Sequence, residues 1–114
     1  MITKDLLLMQ LKIELSNLIC INSANNYIEV NYLQDQELKS KLLRTTLKQI
    51  HSKVPSLIKV HRSYLVNPVH FMTWIDSKTL GLTKMEVPVS KKYKNDLLFL
   101  NHSSLKSDNS PQTV

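Results

Sequence analysis

The chain has 114 residues, of which 42% are hydrophobic, so it is long enough for one domain with one core and too apolar for a disordered protein. Its formal net charge is +6 and its pI is about 9.5, which favours polyanions as partners. Residues 51–114 carry nine Lys/Arg against four Asp/Glu, whereas residues 1–50 carry six against five. An anion-binding face would therefore draw mainly on the second half, although charge alone fits a basic surface without a partner equally well.

A single cysteine, Cys20, excludes an intrachain disulfide, and its apolar neighbours at residues 18–21 predict a buried small side chain rather than a reactive thiol. No apolar run approaches the roughly 20 residues needed to span a bilayer. Residues 6–9 are apolar but too few for a signal-peptide core, and Asp5 precedes them. The sequence therefore predicts a cytoplasmic protein that makes no use of a membrane.

Strand patterns dominate the first 40 residues of the chain. Residues 7–13 alternate loosely between apolar and polar, residues 18–22 form an apolar run typical of a buried strand, and residues 27–32 alternate again. Asn25 and Asn26 predict a turn between the last two of these segments. The polar residues 34–39 predict a loop or a hairpin tip.

One internal helix is predicted near residues 46–54. Thr45 or Thr46 is suited to its N-cap, because a threonine hydroxyl accepts a hydrogen bond from an otherwise unpaired helix amide. Apolar residues then recur at helical spacing, and Pro55 ends the helix.

The second half returns to strands. Apolar segments at residues 69–75, 79–83 and 86–89 are separated by turn residues, and Phe71, Met72 and Trp74 on the first of them are expected in the core. Ser90 is suited to cap a last helix over residues 91–100. The polar residues 101–114 predict a disordered tail.

The run from Leu57 to Asn67 has the most informative pattern in the chain. It reads as a short half-buried strand, with Ile58 and Val60 alternating with polar residues, that ends in basic and polar side chains. Arg62 falls where the strand ends, and a guanidinium fork held at a strand end can bind a phosphate or a base edge.

Four segments, in the same order, resemble the LytTR-type DNA-binding domain. They are the Asn-Tyr turn of residues 24–28, the Leu-Arg-x-Thr-Leu-Lys segment of residues 43–48, the His-Arg-Ser-Tyr-Leu-Val-Asn run of residues 61–67 followed by His70, and the Pro-Val-Ser-Lys-Lys-Tyr run of residues 88–93. The resemblance implies a mostly β fold over residues 1–100: a compact antiparallel β-sheet domain with one internal helix and a short C-terminal helix. Two positions depart from the family pattern, since Lys91 stands where arginine is usual and Lys84-Met85 where a glycine-bearing turn is usual.

The resemblance also implies a function: sequence-specific binding of double-stranded DNA by a bacterial transcription regulator, through strand ends and loops that enter neighbouring grooves. Such domains often act as effector domains of response regulators and tend to bind paired direct repeats, which implies two copies on one DNA. No cofactor, metal or small-molecule substrate is implied. Carried over by position, the DNA-binding residues are Asn26, Tyr27, His61, Arg62, Ser63, Ser90, Lys91 and Lys92.

Each of these side chains also has an ordinary structural interpretation. Arg62 suits guanine or a phosphate but equally a surface ion pair, and His61 suits a phosphate or a bracing role beside it. Asn26 can pair with adenine and Tyr27 can stack or reach a phosphate, but the two also suit a plain turn. The segment from Ser90 to Lys92 can attract anions at a helix start or be a simple cap with solvated lysines.

Two other functions compete with DNA binding. A protein-interaction module on the same fold, modulating another regulator, would have no need of basic residues at the family's contact positions. A nuclease using His61 and Ser63 would need a carboxylate pair, a metal cluster or a glycine-rich loop, and the sequence offers none of them. The sequence therefore predicts a protein that is not an enzyme.

Overall fold

The computed structural model describes residues 13–97, which form two antiparallel sheets and two helices. The strands are β1 (Leu18–Ala24), β2 (Tyr27–Gln34), β3 (Glu37–Leu43), β4 (Ile58–His61), β5 (Tyr64–Val66), β6 (Phe71–Asp76), β7 (Thr79–Leu82) and β8 (Met85–Pro88). The helices are α1 (Leu47–Lys53) and α2 (Lys91–Lys94), and single 3-10 turns lie at Leu15–Asn17, Pro68–His70 and Asn95–Leu97. The predicted mostly β fold is confirmed. The alternating segment before Ile13, the end of the last predicted helix and the predicted tail lie outside the described residues.

A five-stranded sheet, in the order β3-β2-β1-β5-β4, carries an apolar cluster on each face, and a three-stranded sheet β6-β7-β8 packs on one of them. The first cluster joins α1 to alternate residues of β2, so Ile28, Val30 and Tyr32 share one face as their alternation predicts. The second cluster joins the small sheet to the opposite face, which Cys20 and Val66 line. No helix among residues 13–97 has the length and apolar character that a membrane crossing requires.

Strand β3 is the largest difference from the sequence prediction in the first half. Of the two alternatives predicted for residues 34–39, a loop or a hairpin tip, the structure has the hairpin, but its tip is only Asp35 and Gln36 and the strand starts again at Glu37, which pairs with Gln34. Both tip residues have positive φ (54° and 66°), the conformation of a type I′ hairpin turn. Exposed side chains follow along nearly the whole of β3. An edge strand of this kind has no buried face, so it lacks the alternation by which strands are found.

The internal helix forms where its capping signal predicts. Thr46 is the N-cap, and its hydroxyl accepts a hydrogen bond from the Gln49 amide at 3.2 Å. Thr45 donates to the Gln49 side-chain oxygen at 2.6 Å, so both threonine hydroxyls are engaged with the same glutamine. Ile50 buries the inner face of α1 against the large sheet.

The start of β6 and the exposure of its side chains differ from the prediction. The chain makes a 3-10 turn before β6 begins, because the Asn67 side chain accepts from the Val69 amide at 3.3 Å and bends the backbone there. Met72 is 61% exposed, so its predicted place in the core is wrong, whereas Phe71 and Trp74 pack against the second cluster. Since β6 is an edge strand with irregular pairing to β7, its side chains do not alternate regularly between the faces.

The last predicted helix begins at Lys91 as expected. Within the described part of residues 91–100, Lys91–Lys94 is α-helical, a 3-10 turn follows at Asn95–Leu97, and the Ser90 side chain makes no capping hydrogen bond. Instead the Ser90 amide donates to the Val60 carbonyl at 3.0 Å. The backbone of this segment is therefore fastened to β4, which fixes its position without a side-chain cap.

The hairpin between β7 and β8 closes without a glycine. Leu82 pairs with Met85, and Lys84 at the tip adopts a φ of 67°. A lysine in this left-handed region has the steric cost that glycine avoids. The departure from the family pattern at Lys84 therefore makes the turn conformation less favourable in free energy, but the two-residue hairpin still forms.

Cys20 is fully buried in the second cluster, as predicted, and burial raises the pKa of its thiol to about 12 from an ordinary value of 9.0. We expect the thiol to be inert to a disulfide reagent at pH 8 in the folded protein and to react once urea unfolds it. Because the folded-state pKa is the higher one, this group favours the folded state fully below pH 9.0 and progressively less as pH rises toward 12. Rapid labelling of the native protein would contradict this.

Candidate nucleic-acid interface

The residues predicted to bind DNA fall in three segments, which lie at one end of the large sheet: the turn between β1 and β2 with Asn26 and Tyr27, the turn between β4 and β5 with residues 61–63, and the start of α2 with residues 90–92. The turn between β1 and β2 joins the turn between β4 and β5 through a hydrogen bond from the Ser23 amide to the Ser63 carbonyl, 3.0 Å long. The bond from Ser90 to Val60 places the third segment on the other side of β4. Backbone hydrogen bonds thus bring segments that are far apart in the sequence to neighbouring positions.

A groove of about 350 Å³ runs between the first two turns and the start of α1. Asn26, Tyr27 and Arg62, three of the residues predicted to bind DNA, are among its lining residues. The remaining lining residues are Ser23, Asn25, Ile28, Thr45, Thr46 and Leu47. None of the lining residues within 13–97 carries a carboxylate, and Arg62 is the charged side chain among them.

Arg62 is exposed, and no described residue forms an ion pair or a hydrogen bond with its guanidinium. The surface ion pair considered from the sequence therefore does not form within residues 13–97. All five N–H donors of the fork remain available to a partner outside the described residues.

His61 shapes the turn that presents Arg62. Its Nδ1 accepts a hydrogen bond from the Ser63 amide at 3.1 Å, and its ring meets the Tyr64 ring edge to face, with centroids 5.6 Å apart. An accepting Nδ1 is unprotonated, so the neutral imidazole carries its proton on Nε2. The bracing role weighed from the sequence is the one that these contacts support.

The end of the same motif is buried and holds the fold together. Asn67 is 3% exposed, and its side-chain amide donates to the carbonyls of Leu15 (3.0 Å) and Leu18 (2.8 Å). His70 is also buried, with Nε2 2.7 Å from the Ser16 carbonyl and Nδ1 3.0 Å from the Thr83 hydroxyl. These side chains fasten both sheets to the 3-10 turn before β1. Within residues 13–97, no histidine belongs to a cluster of potential metal ligands.

Lysines surround Tyr93 in the third segment. The ammonium of Lys92 lies 5.5 Å from the ring centroid and that of Lys59 lies 6.0 Å from it. Lys91 is exposed beside them. Because α2 has a single turn, few peptide dipoles align in it, and the attraction for anions comes from the lysine charges rather than from the helix start. Lys59 was not singled out from the sequence, since an alternating strand position gives no sign of an aromatic neighbour across the fold.

Arg44 is a second basic residue that the sequence analysis did not place at the site. Its guanidinium carbon lies 5.8 Å from the centroid of the Tyr27 ring, at the edge of the groove. Arg44 belongs to one of the four segments that resemble the family, but its contact with Tyr27 depends on the pairing of β2 with β3. Sequence spacing alone does not reveal that contact.

Comparison with known proteins points to one family. The model of the LytTr DNA-binding domain matches residues 9–100. Among solved structures, the chain resembles a LytTr DNA-binding domain from a Bacillus cereus protein described as a methyl-accepting/DNA response regulator, with a TM-score of 0.67 and 22% identity over 78% of this chain and 84% of that one. At this identity the likeness establishes a shared fold. No curated protein matches the sequence. Since the family model spans most of the chain and the fold agrees with it, the chain belongs to the LytTr DNA-binding domain family.

Proposed function

We propose that the chain is the sequence-specific, double-stranded DNA-binding module of a transcription regulator. The observation that carries the proposal is Arg62: its guanidinium is exposed, and among residues 13–97 it has no partner and borders a groove whose lining includes no carboxylate. An arginine that stabilised the fold would be expected to have an intramolecular partner. The turns on either side of Arg62 supply further donors and positive charge, which suits a polyanion with readable base edges.

The roles differ among the three segments. Arg62 forks onto a base edge, with Asn26 and Tyr27 beside it, while His61 and Ser63 shape the turn. Lys91 and Lys92 neutralise phosphates together with Lys59, and Ser90 anchors their segment. Lysine in place of the arginine usual at position 91 favours phosphate contact over base reading. We assign this function to residues 1–100, with residues 101–114 as a tail outside it.

Selection of bound duplexes from a random pool, using the purified chain, tests the proposal. A short recurring sequence among the selected duplexes is the expected result, with tighter binding to it than to random DNA at the same salt concentration. Enrichment of no sequence would contradict specific binding. Metal-dependent cleavage of the bound DNA would indicate a nuclease and contradict a function in binding alone.

Salt dependence reports how many phosphates the chain contacts. We expect log K to fall linearly with log salt, by about 0.9 for each phosphate neutralised. Lys91→Ala and Lys92→Ala should each make this slope shallower and weaken binding to selected and random DNA alike. An unchanged slope in both variants would place these lysines off the interface.

The arrangement on DNA is proposed to be two copies on paired direct repeats, about one helical turn apart. Sedimentation of the chain alone is expected to show little dimer, because the contacts proposed here are with DNA. Titration of a duplex with two sites should reach two chains per duplex, and a duplex with one site should stop at one. A tight dimer without DNA would contradict this arrangement.

A further inference from the structure

Arg44 is held at the groove by an aromatic ring rather than by a carboxylate. Its guanidinium lies over Tyr27, 5.8 Å from the ring centroid, and it forms no ion pair with any described residue. We propose that Arg44 is a further DNA-contacting residue, positioned by Tyr27 to bind the backbone phosphate next to the base that Arg62 reads. This inference rests on the proposed DNA binding and adds a residue to it.

A contact with a ring suits this role because the charge of the guanidinium attracts it to the ring face, and the contact needs no hydrogen bond that would occupy the N–H donors. The guanidinium fork can then meet a phosphate with two hydrogen bonds. An exposed arginine without such a support would lose more side-chain freedom on binding. Tyr27 is 39% exposed, so part of the ring is available for this contact.

The two threonine hydroxyls of the groove make hydrogen bonds at the start of α1. Thr45 donates to the Gln49 side chain, and the Thr46 hydroxyl accepts from the Gln49 amide, so both threonines serve the start of α1. Two charged groups of the described residues lie at the groove, Arg62 on the β4–β5 turn and Arg44 beside Tyr27. Arg62 and Tyr27 line the same groove, and Arg44 lies against Tyr27, so the proposal places one DNA strand against both arginines.

Salt titrations of Arg44 variants test the inference. Removing one phosphate contact should reduce the slope of log K against log salt by about 0.9, which corresponds to about 8-fold weaker binding at 0.1 M salt. Arg44→Ala should show this loss on both selected and random duplexes, because a phosphate carries no sequence information. Arg44→Lys should keep the slope and lose part of the affinity. Lys53→Ala removes an exposed cation at the far end of α1 and serves as the matched control, with the slope of the parent.

The role of Tyr27 is tested by a double-mutant cycle. The effect of Arg44→Ala should be smaller in a Tyr27→Leu background than in the parent, since the arginine is no longer positioned there. Additive effects would overturn the positioning role. If Arg44→Ala keeps the salt slope of the parent protein while Arg62→Ala loses binding, the inference about Arg44 is overturned and the proposed function stands. If the parent protein enriches no sequence from the random pool, both are overturned. Thermal melts accompany each variant, and a lower melting temperature with unchanged affinity per folded molecule would assign Arg44 to the fold instead.

Discussion

Replacing Asn67 by alanine is expected to lower the free energy of unfolding by about 3 kcal/mol, because each buried polar group left without its partner costs about 1–3 kcal/mol. The Asn67 amide donates to two carbonyls, at 2.8 and 3.0 Å, and its oxygen accepts from the Val69 amide. Alanine removes all three bonds at a site that is 3% exposed. Urea unfolding followed by circular dichroism measures the loss.

Two variants make that experiment specific. Asn67→Asp should be at least as destabilising, because a carboxylate cannot donate to the carbonyls of Leu15 and Leu18 and would be buried among acceptors. Asn26→Ala is the matched control: Asn26 is exposed, and its replacement should change stability by less than about 0.5 kcal/mol. Equal stability of Asn67→Ala and the parent would show that the two carbonyls find other donors.

Arg62→Ala should weaken binding to the selected operator by roughly 1–3 kcal/mol and relax the preference at one base pair. The physical reason is that a guanidinium can meet guanine O6 and N7 with two parallel hydrogen bonds, which alanine cannot replace. Stability should hardly change, because the side chain is exposed and has no partner among residues 13–97. Binding to matched and mismatched operators, beside thermal melts, measures both effects.

Conservative and remote substitutions separate the possible roles of Arg62. Arg62→Lys should restore only part of the affinity, since an ammonium keeps the charge and loses the fork. Full restoration, with uniform weakening of Arg62→Ala on all sequences, would indicate a phosphate contact instead of base reading. Lys53→Ala should bind like the parent. If Arg62→Ala bound its operator as tightly as the parent, a protein-interaction function on the same fold would replace DNA binding as the proposal.

Much of the fold follows from local patterns in the sequence. The alternation at Ile28 and Val30 and the capping pattern at Thr46 each determine an element largely by themselves, and these predictions are confirmed. Strand β3 could not be predicted from such patterns, because it is stabilised by backbone pairing to β2 and buries almost no side chain. Met72 shows the same limit, since irregular pairing at an edge strand turns an apolar residue toward solvent.

The sequence predicts eight residues of the candidate interface, but it predicts neither Arg44 and Lys59 beside them nor the different contacts that each residue makes. His61 and Arg62 are adjacent polar residues, so the sequence does not distinguish their roles. The hydrogen bond from the Ser63 amide identifies His61 as the residue that braces the turn. The contacts of Arg44 with Tyr27 and of Lys59 with Tyr93 join residues from separate strands or segments. Such pairs depend on register and packing, which a single sequence does not specify.

The backbone anchoring of the three segments makes their exposed side chains suitable for engineering. The backbone hydrogen bonds of Ser63 and Ser90 do not depend on the side chains exposed in the same segments. The side chains of Asn67 and His70 stabilise the fold from buried positions. A combinatorial library at Asn26, Arg62 and Lys91 would therefore vary the surface while leaving these supports unchanged. Most of its members should fold, so a selection for DNA binding would choose among them by sequence preference rather than by stability.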